Sequence, residues 1–230
     1  MLEKRHIERI RQELDSCKRP IYFFHDDADG LCSFLLFYRH VREGKGVIVK
    51  TTPRIDRANY TRKVKEYMPD KVFILDIAMV EQDFLDDMHE MGISVVWVDH
   101  HNPLKRDYVL YFNPRIKNIK DDTCVTRLCY SVVKQDIWIA MVGSIGDWQM
   151  PGFRDDFISK YPELLKESVT KPEEALFGQK VGELVMIFSF VLKGKTDDVV
   201  KCMKILTRVK SPYEILDQKT SAGRFIYKRY

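Results

Sequence analysis

The first half of the chain alternates short apolar runs with longer amphipathic segments. The apolar runs have the length of strands buried on both faces, and the segments between them have helical spacing. Strands that alternate with helices of about ten residues favour βαβ units. We therefore predict an α/β fold with a doubly wound, mainly parallel sheet flanked by helices. The predicted strands are residues 21–25, 47–51, 72–76, 94–99 and 108–112, and the predicted helices between them are residues 30–42, 58–67 and 81–91.

Two helices of this half have recognisable ends. An amphipathic helix over residues 2–17 is predicted to dock on the sheet that follows it. The helix over residues 30–42 is predicted to have Asp29 as its N-cap and to be terminated by Gly44 and Gly46.

After Asp122 the pattern becomes helical, with breaks at Pro151-Gly152 and at Gly194. The chain is accordingly predicted to consist of an α/β domain over residues 1–150, including the N-terminal helix, and a mostly helical part over residues 151–230. That second part either completes the domain or leads to a further domain. The predicted helices are residues 123–134, 137–145, 155–166, 173–192, 197–209 and 212–219.

The composition indicates a globular, non-membrane protein. Of the 230 residues, 45% are apolar and 31% are charged, and the longest apolar stretch, residues 184–192, is far shorter than the roughly 20 residues of a membrane-spanning helix. No secretory signal is visible at the start of the chain. The five cysteines include no C-x-x-C pair, which favours a reduced, cytoplasmic setting in which they are small core residues.

The net charge of +4 is unevenly distributed. Residues 193–230 contain ten Lys or Arg and four Asp or Glu, a local charge of +6. This segment is either a basic face that meets a polyanion or an ordinary solvated helix surface.

Side chains of the metal-ligand type follow three predicted strands. His25-Asp26-Asp27-Ala28-Asp29-Gly30 comes after the first strand, Asp76 after the third, and Asp99-His100-His101 after the fourth, while Asp147 offers a further carboxylate. In an open parallel sheet, ligands bind beyond the carboxyl ends of the strands, so these residues are expected to meet.

The mixture of ligands limits the choice of metal. Carboxylates suit hard cations such as Mg²⁺, and added imidazoles shift the preference toward Mn²⁺. His25, Asp27, Asp76, His100 and Asp147 are enough for two divalent ions that share a carboxylate. Each cluster taken alone has a simpler interpretation as a strand-end cap, a turn or a solvated loop, and it is their joint placement at one sheet edge that favours a metal site.

Four segments resemble the ordered motifs of the DHH phosphoesterase superfamily, in particular the archaeal type of its RecJ-like nuclease branch. They are His25-Asp26-Asp27-Ala28-Asp29-Gly30, Ile74-Leu75-Asp76, Val98-Asp99-His100-His101-Asn102 and Gly146-Asp147. The resemblance spans roughly residues 20–150 and corresponds to the N-terminal DHH domain.

The resemblance implies a role for each of these side chains. His25, Asp27, Asp76, His100 and Asp147 would ligate two metal ions, with Asp76 shared between them. In addition, His101 would contact the scissile phosphate or ligate a metal ion weakly, Asp99 would fix the tautomer of an imidazole, and Asp29 would be either a helix cap or a supporting residue.

Three arginines are candidate phosphate ligands. Arg54 and Arg57 follow the second predicted strand and would leave the sheet at the same edge, and Arg115 follows the last strand. Surface solvation is the alternative interpretation for each.

The resemblance implies a metal-dependent phosphodiesterase, specifically a RecJ-like exonuclease on single-stranded DNA or short oligonucleotides that works with replication or repair proteins. Two alternatives remain open: hydrolysis of a small phosphorylated molecule such as a cyclic dinucleotide or pyrophosphate, and a scaffold subunit of a replication complex with little activity. The glycine-rich Gly-Gly-Gly-His type motif of a second, substrate-gripping domain does not occur in the sequence. The chain is therefore expected to be either a protein with the DHH domain only or part of a longer polypeptide.

Overall fold

Five parallel strands form the central sheet in the computed structural model, which describes residues 1–50 and 53–230. The strand order is β2-β1-β4-β6-β7, and a separate parallel pair joins β3 to β5. The strands are β1 (Pro20–His25), β2 (Lys45–Val49), β3 (Arg54–Ile55), β4 (Lys71–Leu75), β5 (Met79–Val80), β6 (Ser94–Val98) and β7 (Leu110–Phe112).

Twelve α-helices are present in the described residues, together with a π-helical turn at Arg57–Thr61 and a 3-10 turn at Pro114–Ile116. The helices are α1 (Lys4–Ser16), α2 (Ala28–Val41), α3 (Arg62–Tyr67), α4 (Gln82–Glu90), α5 (Val125–Val133), α6 (Ile137–Gly146), α7 (Arg154–Lys160), α8 (Pro172–Gly178), α9 (Lys180–Val191), α10 (Thr196–Leu206), α11 (Pro212–Leu216) and α12 (Ser221–Tyr227).

Both faces of the sheet are buried, because alternate residues of each strand enter two different cores. Tyr22 and Phe24 of β1 pack in a large core with α2, α5 and α6. Ile21 and Phe23 pack on the opposite face in a smaller core with α3 and α4. This arrangement explains why the strands read as continuous apolar runs, and the predicted doubly wound parallel sheet is confirmed.

The helical second part of the chain shares the larger core. Residues of α9, α10 and α12 pack in the same cluster as α2 and α6. Arg39 of α2 adds a polar connection, since it pairs with Asp136 and donates a 2.6 Å hydrogen bond to the carbonyl oxygen of Val209, just beyond α10. The division of the chain near residue 150 stays a prediction.

Several element boundaries differ from the prediction. The strand predicted at residues 47–51 is Lys45–Val49, and Thr51 lies outside the described residues, as does Thr52 of the following loop. The helix predicted at residues 173–192 is two helices, α8 and α9, because Gln179 between them has an extended backbone. The helix predicted at residues 155–166 ends at Lys160.

The ends of α2 also correct the prediction. Its N-cap is Asp27, whose carboxylate accepts the N–H of Gly30, and Asp29 lies inside the first turn. At the other end, Arg42 takes the left-handed conformation and closes the helix before Gly44 is reached. The capping role that the sequence assigned to Asp29 therefore belongs to Asp27.

No helix of residues 1–50 and 53–230 has the length and apolar character needed to cross a lipid bilayer.

Gly30 is required where α2 crosses the end of β1. A Cβ atom at this position would lie 2.7 Å from the backbone nitrogen of His25 and closer still to its carbonyl oxygen. Because both atoms belong to the end of a buried strand, they cannot move aside without displacing β1.

We expect Gly30→Ala to lower the free energy of unfolding by about 2 kcal/mol or more, since overpacking a rigid interior costs about 1–3 kcal/mol. Urea denaturation measures the change. Gly152→Ala is the matched control, because no atom lies within 4 Å of the Cβ position there. Equal stability of the two variants would contradict the steric interpretation.

Candidate metal centre

The candidate residues meet because β1, β4 and β6 are neighbours in the sheet. Their registers pair Phe24 with Leu75 and Leu75 with Val98, so the three strands end side by side. The residues that follow these positions are His25, Asp76 and Asp99, and they therefore emerge at the same edge.

Asp76 lies at the centre of this edge. Its backbone is left-handed, with φ of 58°, and its N–H donates to the carbonyl oxygen of Val98. The side chain is buried, with Oδ2 3.4 Å from Nδ1 of His25 and Oδ1 3.4 Å from Nε2 of His100. One carboxylate thus lies between two imidazoles, as a carboxylate shared by two ions would.

Asp27 approaches His25 from the start of α2. Its Oδ1 caps the helix, while Oδ2 lies 2.6 Å from Nδ1 of His25. Despite this short distance, Nδ1 of His25 and Oδ1 of Asp76 are both buried without a properly oriented hydrogen-bond partner. Buried polar atoms without a partner are costly, and a cation among them would satisfy them.

Ligand atoms converge in three overlapping groups, each with all its atoms within 4.8 Å of one another. Asp76 belongs to two of the groups and His100 to two. The donor set of carboxylates and imidazoles therefore fits divalent cations. The groups are His25 with Asp27 and Asp76, Asp76 with His100 and His101, and Asp29 with His100 and Asp147.

The ring of His100 is oriented by the backbone of a neighbouring loop. Its Nδ1 lies 3.1 Å from the carbonyl oxygen of Asp122, which leaves Nε2 facing Asp76. Asp147, at the end of α6, places Oδ2 3.9 Å from Nδ1 of the same ring. Asp122 was not expected from the sequence, since it contributes only a backbone atom.

Asp99 fixes the position of His101 through hydrogen bonds. The carboxylate is fully buried and accepts the backbone N–H of His101, and its Oδ1 lies 2.7 Å from Nδ1 of that ring. Tyr111 and Asn113 also donate to Asp99, at 3.3 and 3.2 Å. With Nδ1 engaged in this way, Nε2 is the ring nitrogen of His101 that remains for a ligand. Sequence reasoning missed Tyr111 and Asn113, although Asn113-Pro114 directly follows a predicted strand.

Asp29 connects the centre to α5. Its two carboxylate oxygens accept the N–H groups of Val125 and Thr126, at 2.8 and 2.6 Å, in the first turn of that helix. It is therefore a helix anchor, but for α5 and not for α2, and the sequence could not show this because the partners are almost a hundred residues away. The same carboxylate also reaches the group that contains His100 and Asp147.

The close carboxylates change the protonation of the imidazoles. Burial by itself would lower the pKa of His25, but Asp27 and Asp76 outweigh it and raise that pKa to about 10. Burial is likewise outweighed at His100, where Asp76 is the main cause that raises the pKa to about 10. Burial raises the pKa of Asp147 to about 6. Without a cation, protons thus compensate the carboxylates, and a metal ion has to displace them.

The three candidate arginines lie in different surroundings. Arg54 pairs with Glu81 at 3.1 Å and Arg57 with Asp87 at 2.8 Å, so both are engaged by carboxylates at α4. Only Arg115 lines a cleft of about 460 Å³ beside the centre, and its Nε atom is buried without a partner. The described residues that line this cleft are His100, His101, Asn102, Arg115, Asp122, Asp147, Trp148 and Gln149.

Gln149 is a further residue that sequence reasoning missed. Its amide nitrogen donates to the carbonyl oxygen of Asp122 and to Asp147, at 2.6 and 3.1 Å, and its oxygen accepts from Cys124 and Arg127. It thereby joins the two segments that flank His100. No pattern in the sequence distinguishes it from a surface glutamine.

Comparison with known families gives a match to the model of the DHH family, N-terminal domain, over residues 21–145. The matched segment contains every candidate ligand except Asp147. No curated protein matches the sequence.

Solved structures share the fold at low sequence identity. RecJ from Thermus thermophilus in complex with Mn²⁺ superimposes with a TM-score of 0.65 and 16% identity, over 99% of this chain and 37% of that one. A DHH domain described as a member of the s1p family of ribosomal proteins gives 0.63 and 13%, over 97% and 57%. An exonuclease RecJ bound to manganese gives 0.57 and 15%, over 90% and 66%. The chain thus spans less than two thirds of each of these proteins.

Asp76→Asn tests the metal centre. Asparagine keeps the size of the side chain and tolerates the left-handed backbone, but it removes the charge between the two imidazoles. We expect saturating Mn²⁺ to raise the melting temperature of the wild type by about 5–10 °C, corresponding to about 2.7 kcal/mol at a hundredfold excess over Kd. The variant should lose most of this shift, and EDTA should reverse it.

Asp155→Asn is the control for this experiment, because it removes the same charge from a side chain that is 86% exposed. It should keep the full Mn²⁺ shift. A metal shift of the same size in Asp76→Asn would show that the ions bind elsewhere.

Proposed function

This chain belongs to the DHH family, and on that premise we propose that it is a metal-dependent phosphodiesterase, specifically an exonuclease that resembles RecJ and acts on single-stranded DNA or short oligonucleotides. The observation that carries the proposal is the position of Asp76, within 3.4 Å of both His25 and His100 at the ends of three adjacent strands. This arrangement suits two divalent ions that share one carboxylate.

His25 and Asp27 would hold one ion and His100 and Asp147 the other, with Asp76 between them. When bound, such an ion pair supplies an activated water nucleophile and neutralises charge on the phosphate. The mixed oxygen and nitrogen ligands favour Mn²⁺ and also permit Mg²⁺. In support of this, RecJ structures of the same fold were obtained with manganese and, at a TM-score of 0.52, with Mg²⁺.

The chain's own residues would bind and orient the phosphate. His101 is held by Asp99, and the hydrogen bond between the two side chains is the main reason why the pKa of His101 is raised. A ring protonated at both nitrogens uses one N–H for Asp99 and offers the other, at Nε2, to a phosphate oxygen. Asp99 therefore acts as a positioning residue, and His101 as the group that touches the substrate.

Arg115 is the arginine best placed for a second phosphate contact. Its guanidinium lines the cleft beside His101, and one of its nitrogens donates to Asn102 at 3.1 Å. Because its Nε is buried, the terminal nitrogens of the guanidinium would make this contact. Arg54 and Arg57 would have to leave their carboxylate partners to serve the same purpose.

The basic C-terminal part supports a polyanionic substrate. Lys193, two residues beyond α9, reaches the first motif, where its Nζ lies 3.0 Å from the carbonyl oxygen of Asp26 and 3.3 Å from the carboxylate of the same residue. The ten Lys and Arg of residues 193–230 would favour a polyanionic substrate. Replication or repair proteins are the partners that this function implies.

A small phosphorylated molecule is the second candidate substrate. The cleft of about 460 Å³ is within the size range of small-ligand sites and would hold a dinucleotide without any longer path.

We expect the wild type to shorten end-labelled single-stranded DNA in Mn²⁺ and to be inactive in EDTA. His100→Ala should lower the rate by about 100-fold or more, because loss of an ion removes several kcal/mol of transition-state stabilisation. Gel analysis of the products, with RNA and a dinucleotide run in parallel, measures rate, polarity and substrate class together.

His89→Ala is the control for His100→Ala, because His89 lies in α4 and stacks on Tyr108. It should retain wild-type activity. Full Mn²⁺-dependent activity of His100→Ala would refute the proposal, and equal turnover of a dinucleotide and a long strand would assign the small substrate. A wild type that hydrolyses none of the three substrates would leave a scaffold role.

A further inference from the structure

One tryptophan of this chain is exposed beside the metal centre. Of the three tryptophans, Trp97 and Trp138 are buried, whereas Trp148 is 57% exposed. It directly follows Asp147 and lines the cleft that contains His100, His101 and Arg115. A large aromatic surface in an otherwise polar cleft calls for an apolar or π-stacking ligand.

The backbone that presents this ring is in a disfavoured conformation. Trp148 has φ of 57°, a left-handed value that is rare for a bulky residue. The conformation is fixed by hydrogen bonds from the N–H of Trp148 to Ile145 and from the N–H of Gln149 to Ser144, at 3.0 and 2.8 Å. This left-handed residue terminates α6, as residues just beyond helix ends commonly do, and its hydrogen bonds fix the position of the ring beside the cleft.

A second exposed aromatic ring accompanies it. Phe177 of α8 is 74% exposed, and its ring centroid lies 5.9 Å from that of Trp148, with 61° between the ring planes. Rings at such an angle do not cover each other face to face, so aromatic surface remains free for a flat ligand. Phe177 also comes from the helical second part of the chain, so both parts of the chain supply a ring beside this cleft.

The ligand that suits this combination carries both a phosphate and an aromatic base. His101 and Arg115 offer donors to the phosphate within the same cleft, and Trp148 offers a surface that can stack on a base. Inorganic pyrophosphate or polyphosphate would use the donors but gain nothing from the indole. Stacking on aromatic side chains tolerates any base, as a nuclease without sequence preference requires.

We propose that Trp148, accompanied by Phe177, forms a base-stacking subsite next to the metal centre, which binds the nucleobase adjoining the phosphate held by His101 and Arg115. This inference rests on the proposed phosphodiesterase function and names its substrate class as nucleotides. Trp148 is thus a specificity-determining residue of that site.

The test compares two short DNA probes that differ only in their bases. A fluorescent pentadeoxynucleotide and a matched abasic pentamer, both with phosphorothioate linkages that resist hydrolysis, are titrated in Mn²⁺ and followed by anisotropy. We expect Trp148→Ala to weaken binding of the base-bearing probe about tenfold and to leave the abasic probe unchanged. Trp148→Phe should restore most of the affinity, and Phe177→Ala should show a smaller loss.

Tyr108→Ala is the matched control. Tyr108 is 56% exposed and has φ of 59°, so it shares both the exposure and the backbone of Trp148, but it stacks on His89 outside the cleft. It should leave both affinities unchanged. Melting temperatures of all variants should stay near that of the wild type, because the replaced rings are exposed.

An equal effect of Trp148→Ala on both probes, or no effect on either, would overturn the stacking subsite, as would failure of the wild type to prefer the base-bearing probe. Hydrolysis is measured separately on ordinary DNA. A wild type that prefers the base-bearing probe but hydrolyses nothing would refute the phosphodiesterase function and leave the stacking subsite intact. A wild type that hydrolyses DNA without preferring the base-bearing probe would refute the subsite and leave the phosphodiesterase function intact.

Discussion

The buried carboxylate of Asp76 is the constraint on which the rest of the centre depends. It lies where β4 ends, between imidazoles contributed by the strands on either side, and within the described part of the chain its ion-pair partners are the histidines His25, His100 and His101. Burial and the neighbouring Asp27 raise its pKa, so an ionised Asp76 is favourable only if positive charge is nearby. Protonated histidines supply that charge in the metal-free protein. Divalent ions would displace those protons and supply the positive charge instead.

Other buried carboxylates hold the pieces of the centre in place. Asp29 accepts hydrogen bonds from backbone N–H groups in the first turn of α5, and Asp99 forms hydrogen bonds with His101, Tyr111 and Asn113. Neither role requires a metal ion, since both consist of hydrogen bonds within the chain. Acidic residues that look alike in the sequence therefore differ in their contacts: Asp29 and Asp99 bind backbone and side-chain groups of the chain, whereas Asp76 faces imidazoles.

The cleft beside the centre combines polar and aromatic groups. Arg115 and His101 provide donors that would suit a phosphate, Trp148 lines the cleft with an exposed ring, and Phe177 packs against that ring from outside the lining. The exposure of these rings would be unfavourable in a site that had only to bind phosphate. The base-stacking subsite that we propose would account for this exposure.

The sequence by itself determined the α/β architecture and the strand-end positions of His25, Asp76, Asp99 and His100, because apolar strand patterns and the edge rule for parallel sheets are local and topological. Only the tertiary structure decided what individual side chains contact. Asp29 proved to anchor α5 and Asp27 to cap α2, Arg54 and Arg57 proved to be engaged at α4, and Gln149 and Trp148 emerged as neighbours of the centre. Some of these contacts join residues far apart in the chain, and others depend on backbone angles. Neither kind of contact leaves a periodic signal in the sequence.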